Sequence, residues 1–252
     1  MPVKEQINFC RGRASARPFF FSSQNQRPRI FRGPFCLRLA FELNKVKFGD
    51  GRNALLAADS LKQMELAEII ADVVDALVEI DRSGQPFRNF QPGVGPYGEP
   101  QLVKLVASRL NVLPKYHGQV RTKRNPDLLI PNEWAMEFKI VRPFGDNGRE
   151  AENWSVNLLH PYPGNVSVIG DCYKLARYQG SERRAAVVIG YEHLPPRIDV
   201  SPLIKSFETI AAHVCAMKLS ARVEIRRNTL IHPVHQSLRV FAWEVIDRTV
   251  EG

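Results

Sequence analysis

Three charged residues in the segment NPDLLIPNEWAMEFK, residues 125–139, have the types and spacing to do chemistry together. Asp127 follows a proline, and Glu137 and Lys139 follow within a short apolar run. Because side chains alternate between the two faces of a strand, Glu137 and Lys139 project from the same face. The opposite face carries four large apolar side chains: Trp134, Met136, Phe138 and Ile140.

The turn residues Pro131-Asn132 separate two short strands, 127–130 and 133–141, and predict that they pair antiparallel. Such pairing brings Asp127 close to Glu137. Two neighbouring carboxylates repel each other, and a divalent cation such as Mg²⁺, which takes oxygen ligands, resolves the conflict. Lys139 adds a positive charge that could orient or deprotonate a water, or stabilise a phosphorane-like transition state. The pattern therefore indicates cleavage of a phosphodiester.

Apolar periodicity and turn residues predict the elements that must position these groups. Helices are expected at 60–82, 99–111, 168–179 and 201–219. Further strands are expected at 185–191, 221–230 and 237–246, with loops at 83–98 and 142–166.

The spacing PD-x9-EFK resembles the PD-(D/E)XK signature of restriction-endonuclease-like nucleases. The order of expected elements over residues 94–192, helix, strand pair, helix and strand, is similar to the shared core of that family. The resemblance implies an α/β fold with a central mixed β-sheet flanked by helices. It also implies a Mg²⁺ cofactor, with Mn²⁺ as a substitute.

The resemblance assigns roles to individual residues. Asp127 and Glu137 become metal ligands, the backbone carbonyl of Phe138 a further ligand, and Lys139 the catalytic lysine. Many members of the family add an acidic residue on the first core helix, and Glu99 in GPYGEPQL stands at that point. Glu99 is equally explained as a favourable charge at a helix N-terminus.

Four basic residues are candidates for DNA binding: Arg142, Arg149, Lys174 and Arg177. The first two lie in the loop after the catalytic strand. Lys174 and Arg177 share one face of the helix at 168–179, which lines the nucleic-acid cleft in the family that the chain resembles. A solvated helix face explains these two equally well, and Asp171 with Lys174 reads as a local salt bridge or cap.

The net charge of +9 is concentrated near the N-terminus. Residues 1–63 contain twelve Lys and Arg against four Asp and Glu, whereas residues 64–252 contain 23 against 22. The segment 1–59 is therefore expected to be basic and poorly structured. It is interpreted as a DNA-binding arm, an unstructured tail, sequence preceding a true start at Met64, or an organellar transit peptide.

The cysteines and the apolar runs restrict where the protein acts. Cys10, Cys36, Cys172 and Cys215 form no CxxC pair, so neither a zinc site nor a disulfide framework is indicated, and the cytoplasm is expected. No apolar run is long enough to span a membrane. His232 and His235 lack further ligands at zinc spacing.

Together these features predict a Mg²⁺-dependent endonuclease acting on double-stranded DNA. Residues 60–252 would form one nuclease domain, with a core at 94–192 and an accessory helix and β-hairpin at 193–252 that serves homodimerisation. One alternative is a non-catalytic nucleic-acid-binding protein that retains the fold. Another is a partner-binding protein whose hairpin mimics the motif.

Overall fold

The structure, a computed structural model, describes residues 63–160 and 167–246. The expected basic segment at 1–59 lies outside these residues. The described helices are α1 Leu66–Arg82, α2 Glu99–Leu110, α3 Val156–Leu159, α4 Val168–Ala176 and α5 Ser201–His213. The strands are β1 Arg121–Thr122, β2 Leu128–Ile130, β3 Trp134–Val141, β4 Arg183–Glu192, β5 Lys218–Leu219, β6 Val223–Asn228 and β7 Ser237–Ile246.

The seven strands form one mixed sheet, as expected. Its order is β1-β2-β3-β4-β7, and β5 and β6 both pair with β7. β3 and β4 run parallel, joined by the segment that contains α3 and α4, whereas every other pairing is antiparallel. β7 pairs with β4 along Ala185–Glu192, and β5 and β6 pair with β7, so the strands of the region 193–246 belong to the same sheet as β3 and β4.

Helices cover both faces of the sheet. α1 and α2 pack on the face that carries Trp134, Met136, Phe138 and Ile140, which are buried in the larger apolar core as their alternation predicts. α4 and α5 pack on the other face, where alternate residues of β4 and β7 such as Val188 form a second core. The fold is therefore three layers, helices on sheet on helices.

α1 begins later than its periodicity predicts, at Leu66, because the preceding residues make tertiary contacts. The backbone N–H of Met64 donates to Glu133 Oε2 (3.0 Å), and the Met64 carbonyl accepts from Trp134 Nε1 (2.9 Å). These bonds hold Met64 outside the helix, and Glu65 is the N-cap residue. Residues 60–62 lie outside the described chain.

Two further boundaries differ from the prediction. The fourth expected helix, α5, ends at His213 because Ala216 adopts a left-handed backbone (φ 49°) and the chain turns into β5 on the edge of β7. The loop expected at 142–166 contains the short helix α3. Local propensity does not reveal either feature, since both depend on distant partners.

β3 is buried on both faces. All eight of its residues are buried, and Glu137 and Lys139 are only 3% and 9% exposed. α4 lies over the face that carries them. No helix in the described ranges is long and apolar enough to cross a membrane.

Phe138→Ala is expected to lower the free energy of unfolding by roughly 3–5 kcal/mol, because it empties a fully packed site on the core face of β3. Urea denaturation followed by circular dichroism measures the loss. Phe90→Ala makes the same chemical change at a side chain that is 43% exposed and is expected to cost less than about 1 kcal/mol. Equal losses in the two variants would contradict the assigned core.

Candidate active site

The site lies on one edge of β3, where its partner strand stops. β2 pairs with β3 only as far as Leu128 opposite Met136. One step beyond that pair, Asp127 stands opposite Glu137, and directly opposite residues of an antiparallel pair share a face. Asp127 Oδ2 accepts a hydrogen bond from the backbone N–H of Phe138 (2.9 Å), so its carboxylate takes the place of a strand partner.

A tight turn before β2 fixes Asp127 and places two basic residues beside it. The backbone N–H of Lys123 donates to the Asp127 carbonyl (3.3 Å), closing the turn. Lys123 and Arg124 are exposed, and Asp127 is half-buried.

Glu137 is buried beside Asp127 without full compensation of its charge. Its Oε1 is buried and has no hydrogen-bond partner in the described chain. Burial raises the pKa of Glu137 to about 8, and repulsion from Asp127 and Asp171 adds to this effect. A hydrogen bond between the carboxyl groups of Glu137 and Asp127 also favours the protonated form. Near neutral pH and without a cation, the Glu137 carboxyl therefore keeps its proton.

Lys139, next along the same face of β3, is held between two carboxylates. Its Nζ lies 3.3 Å from Glu99 Oε1 and 3.2 Å from Asp171 Oδ2. Burial by itself would lower the pKa of Lys139, but the ion pairs with Asp171 and Glu99 outweigh burial and raise it. Lys139 is therefore a charged ammonium group.

Asp171 is the site residue that the sequence analysis missed. The predicted local salt bridge is present, since Lys174 Nζ lies 2.6 Å from Asp171 Oδ1, but Asp171 also reaches across to Lys139. Its side chain is 2% exposed. The available signal was its position among Val168, Cys172 and Leu175, because an acidic residue on the apolar stripe of a helix has to be paired.

Glu99, the first residue of α2, lies at the rim of the site, where the resemblance places an acidic residue. Its side chain is 26% exposed. Burial raises the pKa of Glu99, although the charge of Lys139 opposes this. In the structure Glu99 pairs with Lys139, and Asp127 is near enough to act on its ionisation.

The loop before Glu99 is held by contacts with distant residues. Arg142 Nη1 donates to the Gly95 carbonyl (2.7 Å), and a Cβ at Gly95 would lie only 2.2 Å from His235 Nδ1. His235 stacks on His232, which lies 2.5 Å from Asp146 Oδ1. Through these contacts the two histidines link separate loops. A side chain at position 95 would clash with His235 and shift the loop that leads to Glu99.

The four candidate DNA-binding residues occupy different positions. Arg142 is half-buried and lines a cavity of about 520 Å³. Trp154 and Ile140 also line this cavity, and Ile140 follows Lys139 in the chain. Arg149 and Arg177 are exposed, at the tip of the 143–151 hairpin and at the end of α4. Lys174 is 43% exposed and neutralised by Asp171.

The acidic groups that a metal could use are few. The described residues contain no group of three or more His, Cys, Asp and Glu side chains arranged to hold a metal ion. Lys139 lies between Glu99 and Asp171, so the acidic arrangement that is left is the pair Asp127 and Glu137. Comparison of the chain with protein families, with curated proteins and with solved structures gives no match.

In EDTA, the free energy of unfolding is expected to fall as the pH rises from about 4.5 to about 8. The native protein keeps a proton on Glu137 that the unfolded chain releases near pH 4.5, so stability is lost as the pH rises through the folded pKa. This one group contributes a slope of at most about 1.4 kcal/mol per pH unit. Urea denaturation at several pH values measures it.

Glu137→Gln should flatten that slope and make the protein more stable than the wild type at pH 8. Glu79→Gln, at a side chain that is 62% exposed, controls for the loss of a surface carboxylate. A wild-type slope in Glu137→Gln would show that Glu137 is not the group that titrates.

Proposed function

We propose that the chain is a Mg²⁺-dependent deoxyribonuclease of the restriction-endonuclease-like type. The observation that carries this proposal is the arrangement at β3. Asp127 binds the N–H of Phe138 next to Glu137, whose buried Oε1 has no hydrogen-bond partner in the described residues, and the Lys139 ammonium group lies on the same face between Glu99 and Asp171. An acidic pair beside a buried ammonium group is of little use to a domain that only packs or only binds phosphate.

The order and pairing of the elements support the resemblance. α2 is followed by the antiparallel pair of β2 and β3, by α4, and by β4 parallel to β3. This is the order that the resemblance implies for the family's core. The mixed character of the sheet is also consistent with it.

The residues of the acidic pair fit a divalent cation. Among the described residues Glu137 Oε1 has no hydrogen-bond partner, and a cation would replace the proton on Glu137 and remove the repulsion with Asp127. The Phe138 carbonyl is a plausible further ligand, since the N–H and C=O of one strand residue point to the same edge and its N–H points to Asp127. A bound cation would lower the pKa of a water ligand and offset the charge of the phosphate.

Lys139 supplies the fixed positive charge of the reaction. Because it is protonated, it can donate hydrogen bonds to a phosphate oxygen and stabilise the negative charge that develops there. It cannot accept a proton from water in that state. In hydrolysis the oxygen of a water would bond to phosphorus as the P–O3′ bond breaks. The attacking water would give up one proton to solvent, and the 3′ oxygen would leave with a proton from solvent.

Exposed basic residues around the acidic pair suit a polyanion. Lys123 and Arg124 lie in the turn that precedes Asp127, and Arg177 ends the helix that carries Lys174. Phosphate contacts of this kind position a nucleic acid without reading its sequence. The cavity lined by Arg142 and Trp154 continues along the open edge of β3, where Asn157 Nδ2 caps the Ile140 carbonyl (3.2 Å).

One observation favours the second candidate, a non-catalytic nucleic-acid-binding protein with this fold. Lys139 is buried and already bound by Glu99 and Asp171. Such a protein would bind DNA without metal and leave it intact. We place the protein in a reducing compartment, the cytoplasm, in keeping with the free thiols of Cys172 and Cys215, and homodimerisation remains part of the proposal.

Cleavage of supercoiled plasmid DNA is expected to require Mg²⁺ or Mn²⁺ and to stop in EDTA. Asp127→Asn, Glu137→Gln and Lys139→Met should each reduce the rate by at least about 100-fold, because each removes a charge that acts on the transition state. Circular dichroism has to show that each variant is folded, since Lys139→Met leaves two buried carboxylates with one partner fewer. Undiminished cleavage by any of the three contradicts the assignment. Binding without cleavage in the wild type favours the second candidate.

Arg149→Gln and Arg177→Gln should each weaken binding of duplex DNA and reduce the slope of log affinity against log salt by about one, because each removes one phosphate contact. Fluorescence anisotropy in EDTA across a salt series measures both effects. Arg227→Gln, on β6 and paired with Asp75 (3.4 Å), is the matched control. An unchanged slope in the first two variants would remove these arginines from the DNA-binding surface.

A further inference from the structure

The two carboxylates that hold Lys139 differ in how firmly each is fixed. Asp171 is 2% exposed, and Glu99 is 26% exposed. Their distances from Lys139 Nζ are nearly equal, 3.2 and 3.3 Å. The difference lies therefore in the elements that carry them and not in their distance from Lys139.

α4 fixes Asp171 in place. Its N-cap Ser167 accepts a hydrogen bond from the Gly170 N–H (3.2 Å), and the Ser167 carbonyl accepts one from the N–H of Asp171 itself (2.9 Å). The apolar stripe of the helix is buried in the second core. Lys174 holds the other carboxylate oxygen at 2.6 Å, so Asp171 cannot move away from Lys139 without breaking a second ion pair.

Glu99 has no such restraint in the described chain. It is the first residue of α2, and Gly98 before it provides no side-chain cap. Its carboxylate lies at the rim, where an anion from solution can arrive. A phosphate oxygen is an acceptor of the same charge and hydrogen-bonding type as the Glu99 carboxylate.

We propose that Asp171 is a positioning residue that keeps Lys139 in the site throughout the reaction, whereas Glu99 is an exchangeable partner that yields Lys139 to the scissile phosphate. An ammonium group has three N–H donors, so Lys139 can turn one to Asp171 and another to the phosphate at once. Once Glu99 has released Lys139, its carboxylate is available to the acidic pair, because it is close to Asp127. This inference rests on the proposed nuclease function.

The two carboxylates can be separated by matched amide substitutions. Asp171→Asn removes the fixed partner and leaves Lys139 to Glu99, so we expect kcat to fall about 10- to 100-fold, the usual effect of losing a group that orients a catalytic residue. The KM for DNA and the Mg²⁺ concentration at half-maximal rate should stay near wild type. Glu99→Gln should instead raise that Mg²⁺ concentration, with a smaller loss of kcat.

The experiment is steady-state cleavage of a labelled duplex over a Mg²⁺ series. Asp171→Glu, which restores the charge, should recover part of the kcat lost in Asp171→Asn. The double variant Lys139→Met with Asp171→Asn should be no slower than Lys139→Met alone, because Asp171 acts through Lys139. A wild-type kcat in Asp171→Asn, or multiplied losses in the double variant, would overturn the proposal.

Unfolding in urea separates failure of this inference from failure of the proposed function. If the wild type cuts no DNA with Mg²⁺ or Mn²⁺, the nuclease proposal falls. The Lys139–Asp171 pair is then tested by the urea midpoints of unfolding. The double variant Lys139→Met with Asp171→Asn should lose less stability than the two single variants lose together, because each single variant leaves a buried charge without its partner. Additive losses would overturn the pairing itself. Asp75→Asn, at an exposed ion pair, is the control.

Discussion

Burial of two charged residues on the second face of β3 is the constraint on which the site depends. Glu137 and Lys139 lie on a strand with no exposed face, so each charge has to be paired or neutralised. Lys139 is paired twice, with Glu99 and Asp171. Glu137 is neutralised by a proton, because burial raises its pKa. The rest of the local architecture follows from which elements carry the partner residues Asp127, Glu99 and Asp171.

Three separate elements carry these partner residues. The turn before β2 brings Asp127, the start of α2 brings Glu99, and α4 brings Asp171. Removing one partner of a buried pair costs far more than an exposed ion pair contributes, so these elements are bound to each other through the charges as well as through the cores. The order of the layers is thus fixed by polar and apolar groups together.

β2 begins only at Leu128, opposite Met136, and this leaves the next part of the β3 edge open to the site. A longer β2 would have paired the edge of β3 along its length and closed it with backbone hydrogen bonds. Instead, Asp127 binds the N–H of Phe138 with a side chain, and Asn157 caps the Ile140 carbonyl. Side-chain partners of this kind satisfy the backbone while leaving room beside it. The cavity next to Ile140 occupies that room.

The sequence by itself determined the relations that act over a few residues. Alternation placed Phe138 in the core and Glu137 with Lys139 on one face, the Pro131-Asn132 turn gave the β2–β3 pairing, and the order of elements gave an α/β sheet. Only the tertiary structure decided that α4 covers the second face, that Asp171 meets Lys139, and that β7 lies inside the sheet. The physical reason is that periodicity fixes which side of an element a residue occupies, whereas the element that packs against that side is chosen by contacts between residues far apart in the chain.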